Sequence, residues 1–305
     1  MSIRKIVIGG ASGLIGSALT NALAQRGDDV VRLVRGVPQN PTDVEWRPDR
    51  GDLAPQVLAD ADAVILLNGA SVGRLPWTRK YREVLRASRI DATRTVVRAL
   101  QQLGSGAPTL LSGSAVGYYG SVPGPVREGA PPGKTFLARL CVEWEAAARE
   151  AESVSRVALL RTAPILHPRG VLAPMMKLTA LGLGGPLGSG TQHWPWISLE
   201  DEVAGILHIL DQRIEGAVNL SGPTPATAND IGRSVARALH RPFWLRAPEW
   251  VLNWALGPAA KSLITVDADV RPGVLLESGY KFRFETAEAA VRGALRSPAN
   301  RAESR

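Results

Sequence analysis

From the start of the chain to about residue 160, short apolar runs alternate with stretches whose apolar residues recur every three or four positions. The runs Lys5–Ile8, Val30–Val34, Ala63–Leu67, Thr109–Ser112 and Val157–Arg161 predict strands, and Ala63–Leu67 is apolar throughout, as a strand buried on both faces should be. The helical spacing predicts helices over Leu14–Gln25, Arg79–Leu103, Phe136–Glu150, Glu200–Leu210 and Thr227–Leu239. Within the first of these, Leu14, Ile15, Ala18, Leu19, Ala22 and Leu23 fall on one face. Strands and helices taken in turn predict an α/β fold, a parallel sheet with helices laid over it.

Past residue 165 the alternation breaks, and a Gly/Pro-rich loop spans Gly182–Gly190. That irregular half, residues 165–240, is expected to carry substrate contacts. From Arg241 the texture changes again, with Pro242, Pro248, Pro258 and Pro272 interleaved with Trp244, Trp250 and Trp254. The expectation is one large domain over residues 1–240 and a small C-terminal α/β appendage over 241–305, with a helix at Thr286–Leu295.

Composition narrows the partners. No run of about 18 apolar residues is present, so no membrane span is expected, and the N-terminus enters the first strand without room for a signal peptide. A single cysteine, Cys141, excludes internal disulfides and fits a reducing cytoplasm. The net charge of +8 comes from scattered arginines rather than a basic run, which argues against nucleic acid and reads first as a solvated basic surface, with attraction of an anionic cofactor or substrate as the alternative. His167, His193, His208 and His240 never fall at metal-ligand spacing, so no metal site is expected.

The chemistry begins where Ile6-Val7-Ile8 runs into Gly9-Gly10-Ala11-Ser12-Gly13-Leu14-Ile15-Gly16. A strand turning sharply into a helix aims backbone N–H groups at whatever lies before the helix, and glycines let a pyrophosphate approach them. Gly10, Ser12, Gly13, Leu14, Ile15 and Gly16 are therefore candidate dinucleotide contacts, and the sheet is expected to be Rossmann-like and doubly wound. The second strand ends Val30-Val31-Arg32-Leu33-Val34-Arg35 with no carboxylate to bind a ribose 2′-hydroxyl; Arg35 is the candidate for a 2′-phosphate, which favours NADP(H) over NAD.

These residues resemble the extended short-chain dehydrogenase/reductase superfamily of NAD(P)-dependent epimerases and dehydratases. Leu66-Leu67-Asn68-Gly69-Ala70 sits where that superfamily has a small-residue loop over the cofactor, and Arg89-Ile90-Asp91-Ala92-Thr93 resembles its helix passing the nicotinamide side. Leu111-Ser112-Gly113-Ser114-Ala115-Val116-Gly117-Tyr118-Tyr119-Gly120 looks like its strand with the active-site serine, which falls on Ser114. The resemblance therefore adds Leu67, Asn68, Gly69, Arg89 and Ser112 to the cofactor candidates. The nearer likeness is to a subfamily of "epimerase family" proteins with a C-terminal domain of unassigned function, through Cys141-Val142-Glu143-Trp144-Glu145, Gly182–Gly190 and Trp194-Pro195-Trp196-Ile197. It also implies a homodimer through the helices Arg79–Leu103 and Phe136–Glu150.

One departure bears directly on catalysis. The superfamily's Tyr-x-x-x-Lys pair is absent: Tyr81, Tyr118, Tyr119 and Tyr280 are followed four residues on by Leu85, Val122, Pro123 and Phe284. Aligned on Glu145, the pair's positions hold Leu137 and Cys141. Leucine transfers no proton, and a lone cysteine on an apolar helical face reads as packing. Tyr118 becomes the candidate acid, since a phenol beside a cation can donate a proton; Lys134 and Glu128 stand in the same loop. Two functions remain open. One is an NADP(H)-dependent oxidoreductase or epimerase acting on a carbonyl or sugar-like small molecule. In it Ser114 hydrogen-bonds the carbonyl and Tyr118 supplies the proton. The other is a catalytically silent NADP(H)-binding sensor.

Overall fold

The computed structural model describes residues 3–296, apart from the side chains of Asn253, Ala255, Leu256, Pro258 and Lys261. Seven parallel strands form one sheet: β1 (Lys5–Gly9), β2 (Asp29–Val34), β3 (Asp43–Glu45), β4 (Ala63–Leu66), β5 (Thr109–Ala115), β7 (Val157–Thr162) and β8 (Gly216–Leu220). Their order is β3-β2-β1-β4-β5-β7-β8, so the chain winds outward in both directions from β1 and β4. Between the strands lie α1 (Leu14–Gln25), α2 (Arg79–Leu103), α3 (Phe136–Arg149) and α5 (Leu199–Asp211).

The period-two pattern explains why both faces are covered. Ile6 and Ile8 of β1, Ile65 of β4 and Leu160 of β7 join one core with Leu19 and Leu23 of α1 and Ile206 of α5. Their neighbours Val7, Val64, Leu66 and Leu159 point the other way, into a core with Val96 and Leu100 of α2. Fully burying side chains of this size stabilises by roughly 1.5–3 kcal/mol each.

The irregular half holds α4 (Leu172–Ala180) and α6 (Ala228–Ala238), followed by α7 (Glu249–Leu256), α8 (Pro258–Leu263), β9 (Ala268–Val270), α9 (Gly273–Glu277) and α10 (Ala287–Arg296). The expected division at 240/241 falls just after α6, and the segment beyond it is bound to the rest at several places. β9 pairs in parallel with β6 (Val122–Val126), and Val291 of α10 shares a core with Ile231 and Val235 of α6. The Gly182–Gly190 loop also runs beside this segment: the Gly184 carbonyl accepts from the N–H groups of Trp244 and Leu245.

Candidate functional site

At the winding centre, β1 and β4 turn away in opposite directions and leave a crevice at their C-terminal ends. Gly10 follows β1 at φ +83°, a conformation that costs glycine little. A Cβ there would lie 2.7 Å from the Leu67 carbonyl carbon, so the glycine is what lets the loop after β4 close on the turn. A Cβ on Gly16 would collide with the Gly10 carbonyl, which is how α1 rests directly on that turn. At Gly13 a Cβ would meet only the Gly10 carbonyl, at 3.3 Å, so this side stays open.

The start of α1 suits an anion. Thr78, Thr135, Ser198 and Thr227 cap α2, α3, α5 and α6 with side-chain oxygens, whereas Gly13 caps α1 with none and no acid stands in its first turn. The N–H groups of Leu14, Ile15 and Gly16 thus meet no capping side chain, and the positive end of the helix dipole faces the crevice beside Ser12. Across it, Asn68 buries an Oδ1 with no hydrogen-bond partner among the described residues. Arg89 props this loop: its Nη2 donates to the Ala70 carbonyl at 3.1 Å, its Nη1 to Leu85 at 2.9 Å, and its guanidinium packs on Gly69. Burial holds the Arg89 pKa below the usual arginine value. Ser112 is fully buried beneath, bonded to the Gly113 carbonyl.

At the end of β2 the two arginines separate. Arg32 is tied to Asp43 on β3 by contacts of 2.6 and 2.8 Å. Hydrogen bonds from Gln39, Asn40 and Arg32 outweigh desolvation and hold the Asp43 carboxyl below its ordinary value. Arg35, one residue past the strand, is exposed and has no side-chain partner among the described residues. The residues therefore fit a dinucleotide with an extra phosphate: an open helix end, a glycine cradle and an unpaired arginine.

Below the crevice, the end of β5 carries a buried polar network. Ser114 Oγ donates to Glu145 Oε1 at 2.6 Å. Arg161, from the end of β7, binds the same carboxylate through Nε at 2.7 Å and Nη2 at 2.8 Å. Its Nη1 donates to the Tyr119 hydroxyl at 2.8 Å and the Glu128 carbonyl at 2.9 Å, and the Tyr119 hydroxyl donates to Asn219 on β8 at 2.8 Å. Burial alone would lower the Arg161 pKa, but the hydrogen bonds and charge of Glu145 and the contact with Tyr119 hold it above the usual arginine value. Tyr118 stacks on this cation, its ring 3.6 Å from the guanidinium carbon.

Ser114 and Tyr118 are linked through Glu145 and Arg161, and the serine's hydrogen already has an acceptor. Sequence reasoning alone singles out neither Glu145 nor Arg161 as a site residue. The signals are a carboxylate four residues past Cys141 on the buried stripe of α3, and an arginine directly after the apolar run Val157-Ala158-Leu159-Leu160 of β7. Leu137, which the sequence alignment on Glu145 sets at the superfamily's tyrosine, packs in an apolar cluster with Ala70, Phe136 and Leu263 around Trp77. Cys141 is buried, and burial, with a further push from Glu145, raises its thiol to about 12, so it is no acid at neutral pH. Lys134 is exposed, and the Glu128 side chain is spent on the N–H groups of Asn219 and Val274. Trp194 and Trp196 are core residues whose indoles donate to the carbonyls of Ile264 and Thr224. Among the described residues no cluster of His, Cys, Asp or Glu could hold a metal, and no helix is long and apolar enough to cross a membrane.

A sheet wound both ways from β1, with a glycine turn at the crossover, defines a doubly wound α/β protein of the dinucleotide-binding type. The chain belongs to the NAD dependent epimerase/dehydratase family, which it matches over residues 6–221; residues 247–294 match a domain of unknown function, DUF1731. An epimerase family protein of Mycobacterium bovis is 39% identical over 290 residues, 94% of this chain and 96% of that one. The epimerase family protein YfhF of Bacillus subtilis is 32% identical over 295 residues, again 94% of this chain and 96% of that one. The crystal structure of the human epimerase family protein SDR39U1 with NADPH superposes with a TM-score of 0.87 at 26% identity, covering 95% of this chain and 99% of that one.

Proposed function

We propose that the protein binds NADP(H) across the ends of β1, β2 and β4 and uses it on a carbonyl or sugar-like small molecule. The observation that carries the reading is the open, acid-free start of α1 over its glycine cradle, with Arg35 unpaired where Arg32 is already neutralised. The N–H groups from Ser12 to Gly16 would hold the pyrophosphate, Arg35 the 2′-phosphate, and the Leu67-Asn68-Gly69 loop the nicotinamide-side ribose. NADPH bound to the human relative supports the choice of cofactor. When bound, the nicotinamide supplies hydride exchange at its C4 carbon.

The chain's own part in the reaction is to hold and move a proton. Tyr118 is the proposed donor, its phenol presented by a ring stacked on Arg161. Ser114 reaches a substrate carbonyl only by exchanging its bond to Glu145. That exchange, and Leu137 in its apolar cluster, favour a second reading: an NADP(H) sensor that has kept binding and lost turnover. Val84 and Val142, exposed on α2 and α3, support the homodimer, which light scattering would test.

Arg35→Asp tests the cofactor. Losing one charged contact to a phosphate costs roughly 1.5–3 kcal/mol, about ten- to a hundred-fold in NADPH affinity, with NADH little affected. Equal affinities for NADPH and NADH in the unaltered protein overturn the preference. NADPH oxidation across a panel of carbonyl and sugar-nucleotide compounds separates enzyme from sensor, and undiminished turnover in Tyr118→Phe removes the proposed donor.

A further inference from the structure

Many arginines of this chain sit against a carboxylate, as Arg32 does on Asp43, Arg86 on Glu143 and Arg237 on Glu288. Other basic residues have no such partner among the described residues, Arg35 being one, and three of them gather around one cavity. Arg82 on α2, Lys134 just before α3 and Arg139 on α3 line a solvent-open cavity of about 770 Å³, and none forms an ion pair among the described residues. Glu249, at the start of α7, is the one carboxylate in its lining. Two of the cations are held in place: the Arg82 guanidinium lies 5.9 Å from the Phe136 ring centre, and Arg139 Nη1 donates to the Lys134 carbonyl at 2.7 Å.

The cavity is connected to the polar network. Tyr119 lines it and joins Arg161, and through Arg161 and Glu145 it joins Ser114. The first turn of α3 forms one wall through Thr135 and Phe136, and the next residue, Leu137, packs against Gly117, beside Tyr118. The volume falls within the range of small-molecule sites. A concave surface carrying one sign of charge concentrates ions of the other, and guanidinium groups match the oxygen geometry of phosphates and carboxylates.

We propose that Arg82, Lys134 and Arg139 form an anion subsite for the substrate, which is a small hydroxylated compound carrying a phosphate or a carboxylate. This rests on the reading that the neighbouring crevice takes NADP(H) and that the reacting carbon lies between the two.

Calorimetric titration of the NADPH-saturated protein tests it, because the cofactor then blocks the other anion site at α1. The probes are glucose 6-phosphate, glucuronate and glucose. Binding of either anion at least roughly ten-fold tighter than glucose supports the subsite, and the tighter of the two identifies the charged group. Lys134→Ala and Arg139→Ala should each weaken that anion roughly ten-fold while leaving NADPH affinity unchanged. Both residues are exposed, so neither change threatens the fold. Anions that bind no better than glucose, or bind equally well to both variants, overturn the proposal. Failure of the cofactor reading shows separately, as absent NADPH binding in the loading step. In that case the same variants are titrated on the free protein, where their effect still decides the subsite.

Discussion

Glu145→Ala should be among the most damaging single changes in the chain. The Glu145 and Arg161 side chains are 5% and 3% exposed, and three hydrogen bonds of 2.6–2.8 Å converge on the carboxylate. Removing it leaves a guanidinium in the interior with only the Tyr119 hydroxyl and the Glu128 carbonyl as acceptors. Breaking a buried pair from one side costs about 3–5 kcal/mol, a large share of the roughly 5–15 kcal/mol that holds a domain folded. At about 2.1 cal/mol/K per residue, the unfolding entropy of a chain this long is about 0.6 kcal/mol/K, so the Tm should fall by about 5–8 °C.

The same physics predicts a rescue. Replacing both partners, as Glu145→Leu with Arg161→Met, removes the stranded charge and should recover much of the loss, leaving a coupling energy of about 2 kcal/mol or more. Calorimetric melting gives the Tm values, and urea titrations at fixed pH complete the double-mutant cycle. A Tm shift under about 2 °C for Glu145→Ala, or single effects that simply add in the double variant, would refute the assignment of the pair as a buried, mutually dependent unit.

Glu202 is fully buried, and desolvation raises its carboxyl to about 8 despite a 2.7 Å hydrogen bond from Thr162. The folded state then keeps a proton that the unfolded chain releases near 4.5, so stability should fall by up to about 1.4 kcal/mol per pH unit from about pH 4.5 to about 8 and level off above. Glu202→Gln should flatten that slope in urea titrations across pH, and an unchanged slope would place the proton elsewhere. Cys141, buried with its thiol raised to about 12, should resist thiol reagents at pH 8 in the native protein and react at once in guanidinium; rapid native labelling would contradict the packing. Gly16→Ala should abolish NADPH binding, because its Cβ would displace the Gly10 turn; binding within about two-fold of the unaltered protein would rule out that turn as the cradle.

How much of the structure is legible in the chain depends on the range of its interactions. Leu14–Gln25 and Arg79–Leu103 are read from the sequence to the residue because the apolar period, the glycine turn and the Thr78 cap all act within a few positions. β5 extends three residues beyond its expected end, through Gly113 and Ser114, which lack β-forming side chains. What holds Gly113 in the strand is tertiary: a Cβ there would lie 2.9 Å from the Trp144 ring and the Leu66 carbonyl. β6, Val122-Pro123-Gly124-Pro125-Val126, carries two prolines and is a strand only because β9, far along the chain, supplies its partner. The candidate site divides the same way. Its proposed cofactor half is local, a strand, three glycines and an arginine within the first 35 residues, so the sequence alone suggests it. Its polar half depends on Ser114, Glu145, Arg161 and Asn219, which come from four separate elements and become one network only when the sheet closes. A resemblance could therefore point to the serine, but only the fold shows that its hydrogen is engaged by Glu145. With no Tyr-x-x-x-Lys in the chain either, the departure from the superfamily's pattern falls on the proposed proton path rather than on the glycine turn.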